Sequence, residues 1–329
     1  MAVLAEWGAL RNYHLYGLDI TTPLLLPYPE CRSSGPPTVL VWPDEPCVVT
    51  EAKLHNADGD FWNHCQRDGW DVIQLSETCR FRVGPDRKAI RYSHAADCPP
   101  EALRSYLLAG PLSFVLLDRG VESLHATGVV VDGTAIGILG NNGYGKSTLA
   151  AALLSAGFPL LTDDLLVLEW QGQTCCSYRS GAHIKLFPQV AERFLPALNG
   201  VQLNRHTQKK VYSLIAGEAP GEELVPLRVL YELDETASGG LEIKPLPPAK
   251  AFVGLLRNLF NDEVTRSERL RPQFEFCERV AASVPVFSLA YPRSLDALPE
   301  IAANLVAHMR SLSVPAAPVS KSASAEARA

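Results

Sequence analysis

The sequence predicts an α/β domain over residues 106–312, preceded by a smaller, mostly β domain over residues 1–105. Three observations support this prediction. Short β-like pieces such as TVLVW, WDVIQL and CRFRVG occur within the first hundred residues, separated by turn-forming clusters. From about residue 121, β-rich runs alternate with helix-like runs. Between the two parts, residues 100–120 have helical spacing and are expected to bridge them.

The α/β part begins with two β-rich runs, ATGVVVDG and TAIGILG, separated by Asp132-Gly133. An Asp-Gly pair between two such runs predicts a β-hairpin. The run KSTLAAALLSAG predicts a helix that ends near Gly157. FPLLTDD and LLVLEW read as the next strands.

Later segments predict further alternating strands and helices. LRVLYELDE and LEIKPL are expected to pair as strands, and PVFSLAYP predicts another strand. PAKAFVGLLRNLF and LDALPEIAANLVAHMRSL have the apolar spacing of amphipathic helices. Residues 313–329 are low in bulky apolar groups, which predicts a disordered tail.

Composition excludes several classes of protein. Of the 329 residues 47% are hydrophobic and the net charge is −6, which is typical of a globular protein and not of one that binds nucleic acid. No stretch reads as a signal peptide or a membrane span, so we expect a cytoplasmic protein with no membrane partner. The eight cysteines form no CxxC pair, which favours reduced thiols over a zinc site.

The stretch GILGNNGYGKSTLAAALL, residues 137–154, matches the phosphate-loop pattern G-x-x-x-x-G-K-[ST]. The predicted nucleotide-binding residues are Gly140, Asn141, Asn142, Gly143, Tyr144, Gly145, Lys146, Ser147 and Thr148. Glycine lets the backbone amides approach a polyphosphate, and the following helix points its positive end at the same anion. Lys146 adds a charge, and the Ser147 hydroxyl is a ligand for Mg²⁺. The alternative is a glycine-rich β–α turn with an exposed lysine.

A carboxylate pair, Asp163 and Asp164, follows the loop at the end of the run FPLLTDD. Ligands in doubly wound folds lie at the carboxyl ends of strands, so one Asp can manage a metal while the other accepts a proton. The alternative is an ordinary turn at a strand end. The short spacing from Lys146 argues against a switch GTPase or a transport ATPase, and no NKxD motif for guanine occurs.

Residues 123–169, SLHATGVVVDGTAIGILGNNGYGKSTLAAALLSAGFPLLTDDLLVLE, resemble the catalytic core of HPr kinase/phosphorylase. The resemblance implies an HPr-kinase-like P-loop domain that uses ATP and Mg²⁺. It implies that Asp163 is the general base, that Asp164 and Ser147 serve the metal, and that His125 lies near the γ-phosphate. Without the resemblance, His125 reads as a hydrogen-bonded histidine at a strand end.

Beyond that core, the chain resembles a looser branch of HPr-kinase-like proteins, through YHLYGLDITTPLLLPYPE, PLRVLYELDE and VPVFSLAYPRSLDALPE. Some members of the branch phosphorylate the C-terminal residue of precursor peptides in lasso-peptide gene clusters. The resemblance therefore implies a kinase acting on a peptide serine. A small-molecule hydroxyl kinase on the same core and a non-catalytic, regulatory nucleotide-binding protein are the alternatives.

The chain departs from the bifunctional family at two places. Thr148 stands where those enzymes have Glu, and no GLG-like loop follows the DD strand. These departures argue against phosphorylase activity and against the hexamer of that family, and leave homo-oligomerisation open. RSGAHIKLFPQ, residues 179–189, occupies the region of the missing loop. His183 and Lys185 within it are candidate contacts to phosphate or substrate; the alternative is a strand with a polar outer face.

Overall fold

The computed structural model describes residues 9–32, 35–45, 62–75, 77–214, 223–234, 239–261 and 267–313. The predicted disordered tail lies outside these ranges except for residue 313. Within the described ranges, no helix combines the length and the hydropathy needed to cross a membrane. The seven cysteines that the structure describes are free thiols, and Cys47 lies outside the described residues.

The N-terminal part of the chain forms a seven-stranded mixed sheet. Its strands are β1 (Arg11–Leu15), β2 (Leu18–Thr22), β3 (Val39–Pro43), β4 (Trp62–Arg67), β5 (Trp70–Leu75), β6 (Cys79–Val83) and β7 (Ala89–His94). They lie in the order β1-β2-β3-β7-β6-β5-β4, and β3 runs parallel to both neighbours. Buried positions alternate along β5 and β6, so one face of the sheet packs inward. Helix α1 (Pro100–Asp118) packs against β6 on that face.

The rest of the chain forms an eight-stranded sheet and a small three-stranded one. The strands are β8 (Ser123–Val131), β9 (Thr134–Leu139), β10 (Leu160–Thr162), β11 (Leu165–Gln171), β12 (Thr174–Tyr178), β13 (His183–Leu186), β14 (Gly200–Gln202), β15 (Lys210–Ser213), β16 (Leu224–Leu233), β17 (Glu242–Pro245) and β18 (Val286–Ala290). In the larger sheet β9 pairs with β8 and β16, and β16 runs parallel to both β9 and β18. The small sheet has the order β13-β15-β14. The carboxyl ends of the three parallel strands therefore meet at one edge.

Helices cover both faces of the larger sheet. They are α2 (Lys146–Ser155), α3 (Pro188–Phe194), α4 (Pro248–Arg257), α5 (Ser267–Ser283) and α6 (Leu298–Ser311). Side chains of α2, α3 and α6 share one apolar cluster with β8, β9 and β16, whereas those of α4 and α5 share a second cluster on the opposite face. This layering of helices on both sides is the α/β architecture that the alternation of strands and helices predicted.

A third apolar cluster joins the N-terminal sheet to the rest of the molecule. It contains Val41 from β3, Leu107 from α1 and Leu165 from β11, all at most 1% exposed. The two parts of the chain are therefore packed on a common core through α1, the helix predicted between them. The boundary near residue 105 stays a prediction.

Several local predictions are confirmed and one is wrong. The hairpin at Asp132-Gly133 forms, with φ angles of 51° and 74° at its two turn residues. β16 and β17 do not pair with each other, because one side of β16 is taken by β9 and β12 and the other by β18. β17 instead pairs with β18 at the edge of the sheet. The structure also contains α5, which the sequence patterns did not indicate.

Asn258, directly after α4, ties three segments together. Its side-chain Oδ1 accepts a hydrogen bond from the Gly140 backbone N–H at 2.8 Å, and its Nδ2 donates to the Gly254 carbonyl at 2.8 Å. Its own carbonyl accepts from the His125 N–H at 2.7 Å. With 4% of its surface exposed, Asn258 fixes the start of the glycine-rich loop from inside the protein.

Replacing Asn258 by alanine is expected to lower the free energy of unfolding by about 1–3 kcal/mol, because the buried Gly140 N–H loses its acceptor. Urea denaturation measures this loss. Asn304→Ala is the matched control, since the Asn304 amide is exposed and bonds only within α6, so its cost should stay below about 0.5 kcal/mol. Equal losses in the two variants would contradict the role given to Asn258.

Candidate active site

The glycine-rich loop joins the end of β9 to the start of α2. Gly140 and Gly145 have φ angles of 143° and 94°, in the left-handed region that favours glycine. Gly145 precedes the first turn of α2, and no side chain caps that helix end. Asn141, Asn142 and Gly143 form the exposed tip of the loop, and Tyr144 and Thr148 are half-buried. The first amides of α2 thus remain directed at the space enclosed by the loop.

Lys146 is folded back into this loop. The side chain is buried, and Nζ donates hydrogen bonds to the carbonyls of Gly140 at 2.5 Å and Asn141 at 3.3 Å. Burial lowers the pKa of Lys146 to about 8, although the charges of Asp164 and Asp163 act in the opposite direction. The Lys146 ammonium is held inside the loop by two backbone carbonyls.

Asp163 receives hydrogen bonds from three separate segments. Its Oδ1 accepts from the hydroxyls of Thr127 at 2.8 Å and Ser147 at 2.9 Å. Its Oδ2 accepts from the Lys185 backbone N–H at 2.9 Å. Burial, followed by the neighbouring Asp164 charge, raises the pKa of Asp163 above its usual value despite these donors. A raised pKa suits a group that has to take up a proton.

Asp164 points the other way and is paired with the Lys185 ammonium. The Lys185 ammonium donates to Oδ2, and His125 Nε2 lies 4.0 Å from Oδ1. Burial alone would raise the pKa of Asp164, but the Lys185 charge and its hydrogen bond hold it well below its usual range. The residue has a φ of 71°, so the Asp163-Asp164 turn is sharp enough to separate the two side chains. Asp164 is accordingly the carboxylate of the pair that remains ionised.

His125 lies on β8 beside this pair. Burial, followed by the charge of Lys146, lowers the pKa of His125 to about 4, so its ring is neutral at pH 7. The ring packs edge-on against Phe260, with centroids 5.9 Å apart. A neutral imidazole in this position can exchange hydrogen bonds with a phosphate or with Asp164, but it adds no positive charge.

His183 and Lys185, both on β13, reach the acidic pair from a different direction. Lys185 lies with its Nζ 5.5 Å from the centre of the Tyr106 ring, a cation–π geometry that fixes the ammonium beside Asp164. His183 lines the same recess as both aspartates, and burial and the Lys185 charge lower its pKa to about 4. Residues 183–186 thus form a strand, as the alternative stated, and two of its side chains nevertheless lie beside the acidic pair.

The structure brings most of the predicted site residues together. The Ser147 hydroxyl donates to Asp163, the predicted general base, and not to Asp164, the other predicted metal ligand. Among the described residues, no group of three or more His, Cys, Asp or Glu side chains converges to hold a metal ion. Mg²⁺ needs only one or two carboxylates when phosphates supply further oxygens, so a hydroxyl beside two aspartates fits Mg²⁺ and does not fit zinc.

Sequence reasoning missed three residues that shape the site. Thr127 donates to Asp163, and Asn258 holds Gly140. The Arg293 guanidinium donates to the carbonyls of Tyr144 and Asp234, so it joins the loop to the end of β16. For Arg293 a signal existed, because it directly follows a predicted strand. Asn258 carries no local pattern that could have identified it.

Comparisons with known proteins found no matching family and a distant structural similarity. No protein-family profile matches the chain, and no curated protein does. Among solved structures, the HPr(Ser) kinase/phosphatase from Coxiella burnetii is similar over 57% of this chain and 95% of that chain, with 14% sequence identity and a TM-score of 0.32. That degree of similarity establishes neither family nor activity, so the function has to be inferred from the site.

Replacing Lys185 by methionine is expected to lower the free energy of unfolding by about 1.5–3 kcal/mol at pH 7, because Asp164 loses its cation. In this variant, burial and the repulsion between Asp163 and Asp164 raise the pKa of one of these carboxyls above the value near 4 that it has in the unfolded chain. At pH values above 4 the folded state then binds more protons than the unfolded state. Stability of the variant should therefore fall as the pH rises from 4.5 to 7.

Urea denaturation at both pH values measures this difference. Lys250→Met, at an exposed position of α4, is the control and should shift stability by less than about 0.5 kcal/mol at either pH. An identical loss at pH 4.5 and pH 7 for Lys185→Met would show that Asp164 does not depend on the Lys185 charge.

Proposed function

We propose that this chain is an ATP-dependent phosphotransferase that transfers the γ-phosphoryl group of ATP to a hydroxyl group. One observation carries the proposal: Asp163 accepts a hydrogen bond from Ser147, the residue that follows the loop lysine, at 2.9 Å. A phosphate-binding loop and a buried acid with a raised pKa are thereby brought into direct contact. That combination serves phosphoryl transfer, in which positioning and charge stabilisation supply most of the rate enhancement.

The loop and the acidic pair fit the two expected cofactors. The first amides of α2 and the Lys146 ammonium would hold the phosphates of ATP. Ser147 and Asp164, the carboxylate that stays ionised, would hold Mg²⁺. Bound there, Mg²⁺ would neutralise part of the charge on the phosphates.

Asp163 is the proposed general base. Its Oδ1 already accepts two hydrogen bonds, whereas Oδ2 accepts one and retains a lone pair for an incoming hydroxyl. The acceptor oxygen attacks the γ-phosphorus, the bond to the β–γ bridging oxygen breaks, and ADP leaves with that electron pair. The hydroxyl proton passes to Asp163, while Lys146 and the loop amides stabilise the three equatorial oxygens.

A serine of a peptide is the acceptor that we favour, because the sequence resembles kinases of lasso precursor peptides. A small-molecule alcohol on the same core is the second candidate. A regulatory protein that binds nucleotide without transferring phosphate is the third, and the Asp164–Lys185 ion pair, which already compensates one carboxylate, is compatible with it. Mass spectrometry of a serine-containing precursor peptide after incubation with ATP and Mg²⁺ separates a peptide kinase from the other two.

Replacing Asp163 by asparagine is expected to lower the rate of γ-phosphate transfer about 10²–10⁴-fold, because the amide cannot take up the proton. Transfer from γ-labelled ATP to peptide and to water is measured together with the affinity for ATP, which should be retained. Asp132→Asn, at an exposed hairpin position, should transfer like the wild type. Undiminished transfer by Asp163→Asn would remove Asp163 from the chemistry, and a wild type that binds ATP without any transfer would favour the regulatory protein.

Replacing Lys146 by methionine is expected to weaken binding of a non-hydrolysable ATP analogue at least tenfold, because charge-assisted bonds to the phosphates are lost. Isothermal titration calorimetry with Mg²⁺ present measures the dissociation constant. Lys88→Met, at an exposed turn in the N-terminal sheet, is the matched control and should bind like the wild type. Retained affinity in Lys146→Met would mean that the nucleotide does not bind in this loop.

A further inference from the structure

Lys209 is a half-buried lysine of the small three-stranded sheet that the site described above does not use. It directly precedes β15, in which Lys210 pairs with Leu186 of β13. The antiparallel register places Lys209 opposite Phe187, and Lys209 Nζ indeed lies 5.5 Å from the centre of the Phe187 ring. Lys209 and Phe187 are therefore cross-strand neighbours.

The face of this sheet that carries Lys209 is the one that meets the acidic pair. Alternate side chains of a strand lie on the same face, and the backbone of Phe187 is still extended, so His183, Lys185 and Phe187 share a face. Lys209 contacts Phe187 and joins them there. On this face the Lys185 ammonium donates to Asp164, and His183 lies beside both aspartates.

The adjacent Lys210 points to the opposite face. A Cβ atom at Gly200 would lie 2.9 Å from Lys210 Cβ and 2.5 Å from the Tyr212 ring, so Lys210 and Tyr212 lie on one side of the sheet. Tyr212 belongs to the apolar cluster of α2 and α3, whereas Val211 belongs to the cluster of the N-terminal sheet. Two consecutive lysines thus have different surroundings.

The Lys209 ammonium forms no ion pair with a described residue. Within the described ranges, its contact is the Phe187 ring. A ring contact leaves N–H groups of an ammonium available to a hydrogen-bond acceptor. Lys185, in contrast, is occupied by Asp164.

The charge of Lys209 acts on residues from three segments of the site. Burial has the largest effect on the pKa values of Lys146, His125 and Asp164, and the Lys209 charge is a further cause that lowers all three. Salt screens charges that are separated by more than about 10 Å. The Lys209 ammonium therefore lies in the neighbourhood of the loop lysine and of the acidic pair.

These lysines give the site a surplus of positive charge. The ammonium groups of Lys146, Lys185 and Lys209 are set against the carboxyl groups of Asp163 and Asp164. With a pKa of about 8, Lys146 is mostly protonated at pH 7, and the raised pKa of Asp163 adds to the imbalance. The surplus of at least one positive charge attracts an anion, and Lys209 is the lysine whose ammonium has no oxygen partner among the described residues.

We propose that Lys209 binds the γ-phosphoryl group of ATP by donating a charge-assisted hydrogen bond to one of its oxygens. The inference rests on the proposed function, because that function brings the terminal phosphoryl group to the acidic pair. The loop amides and Lys146 hold the phosphates from α2, and Lys209 adds a charge from the small sheet. ADP lacks the group that Lys209 contacts, so Lys209 makes the site discriminate between ATP and ADP.

Replacing Lys209 by methionine tests the assignment with the full-length protein. The thioether can still contact the Phe187 ring, so the substitution removes the charge and preserves the packing. Isothermal titration calorimetry with Mg²⁺ measures the dissociation constants of β,γ-imido-ATP and of ADP. Lys209→Met should bind β,γ-imido-ATP at least tenfold more weakly and ADP within about twofold of the wild type, because a charged hydrogen bond to the γ-phosphoryl group alone is lost.

Lys210→Met is the matched control, since it removes the same charge at the next position and on the opposite face. It should bind both nucleotides like the wild type. Unchanged binding of β,γ-imido-ATP by Lys209→Met, an equal loss for both nucleotides, or an equal loss in Lys210→Met would overturn the role of Lys209. A wild type that binds neither nucleotide would instead overturn the proposed function, so the two failures are distinguishable.

Discussion

The carboxylate of Asp163 is the point on which the candidate site depends, because three segments distant in sequence donate hydrogen bonds to it. Thr127 belongs to β8, Ser147 to the helix after the loop, and Lys185 to the small three-stranded sheet. A buried carboxylate is tolerated only when such donors compensate the lost hydration. The same three bonds therefore hold the loop, the acidic turn and β13 in register, and loss of any one would disturb the others.

The second constraint is the repulsion between two adjacent buried carboxylates. Once one of them is ionised, ionising the other costs more free energy. The structure resolves this by giving them different partners: Asp163 has neutral donors, and Asp164 has the Lys185 ammonium. Their pKa values consequently move in opposite directions, upward for Asp163 and downward for Asp164. Separation of this kind lets neighbouring acids perform different tasks, as a base and an ionised ligand must.

Local patterns were sufficient for elements whose signal lies within a dozen residues, such as the Asp132-Gly133 hairpin and the start of α2 at Lys146. They failed for strand pairing, which depends on contacts between distant segments. β16 pairs in parallel with β9 and β18, and β17 pairs with β18 at the edge of the sheet, not with β16 as predicted. The site shows the same limit. Asn258 and Arg293 reach the loop from 118 and 149 residues away. The sequence did not indicate α5, which contains Pro272 and is rich in charged residues.

The N-terminal sheet takes part in the surroundings of the acidic pair, because residues of both parts of the chain line a narrow recess beside Asp163 and Asp164. Tyr16 and Asp164 are both non-glycine residues with positive φ, and both line it. Such conformations persist only where the surrounding packing over-determines them, and here that packing comes from opposite parts of the chain. Under the proposed function, the shared core, to which α1 and Leu165 of β11 both belong, holds the acidic turn in a fixed position, as in-line transfer requires.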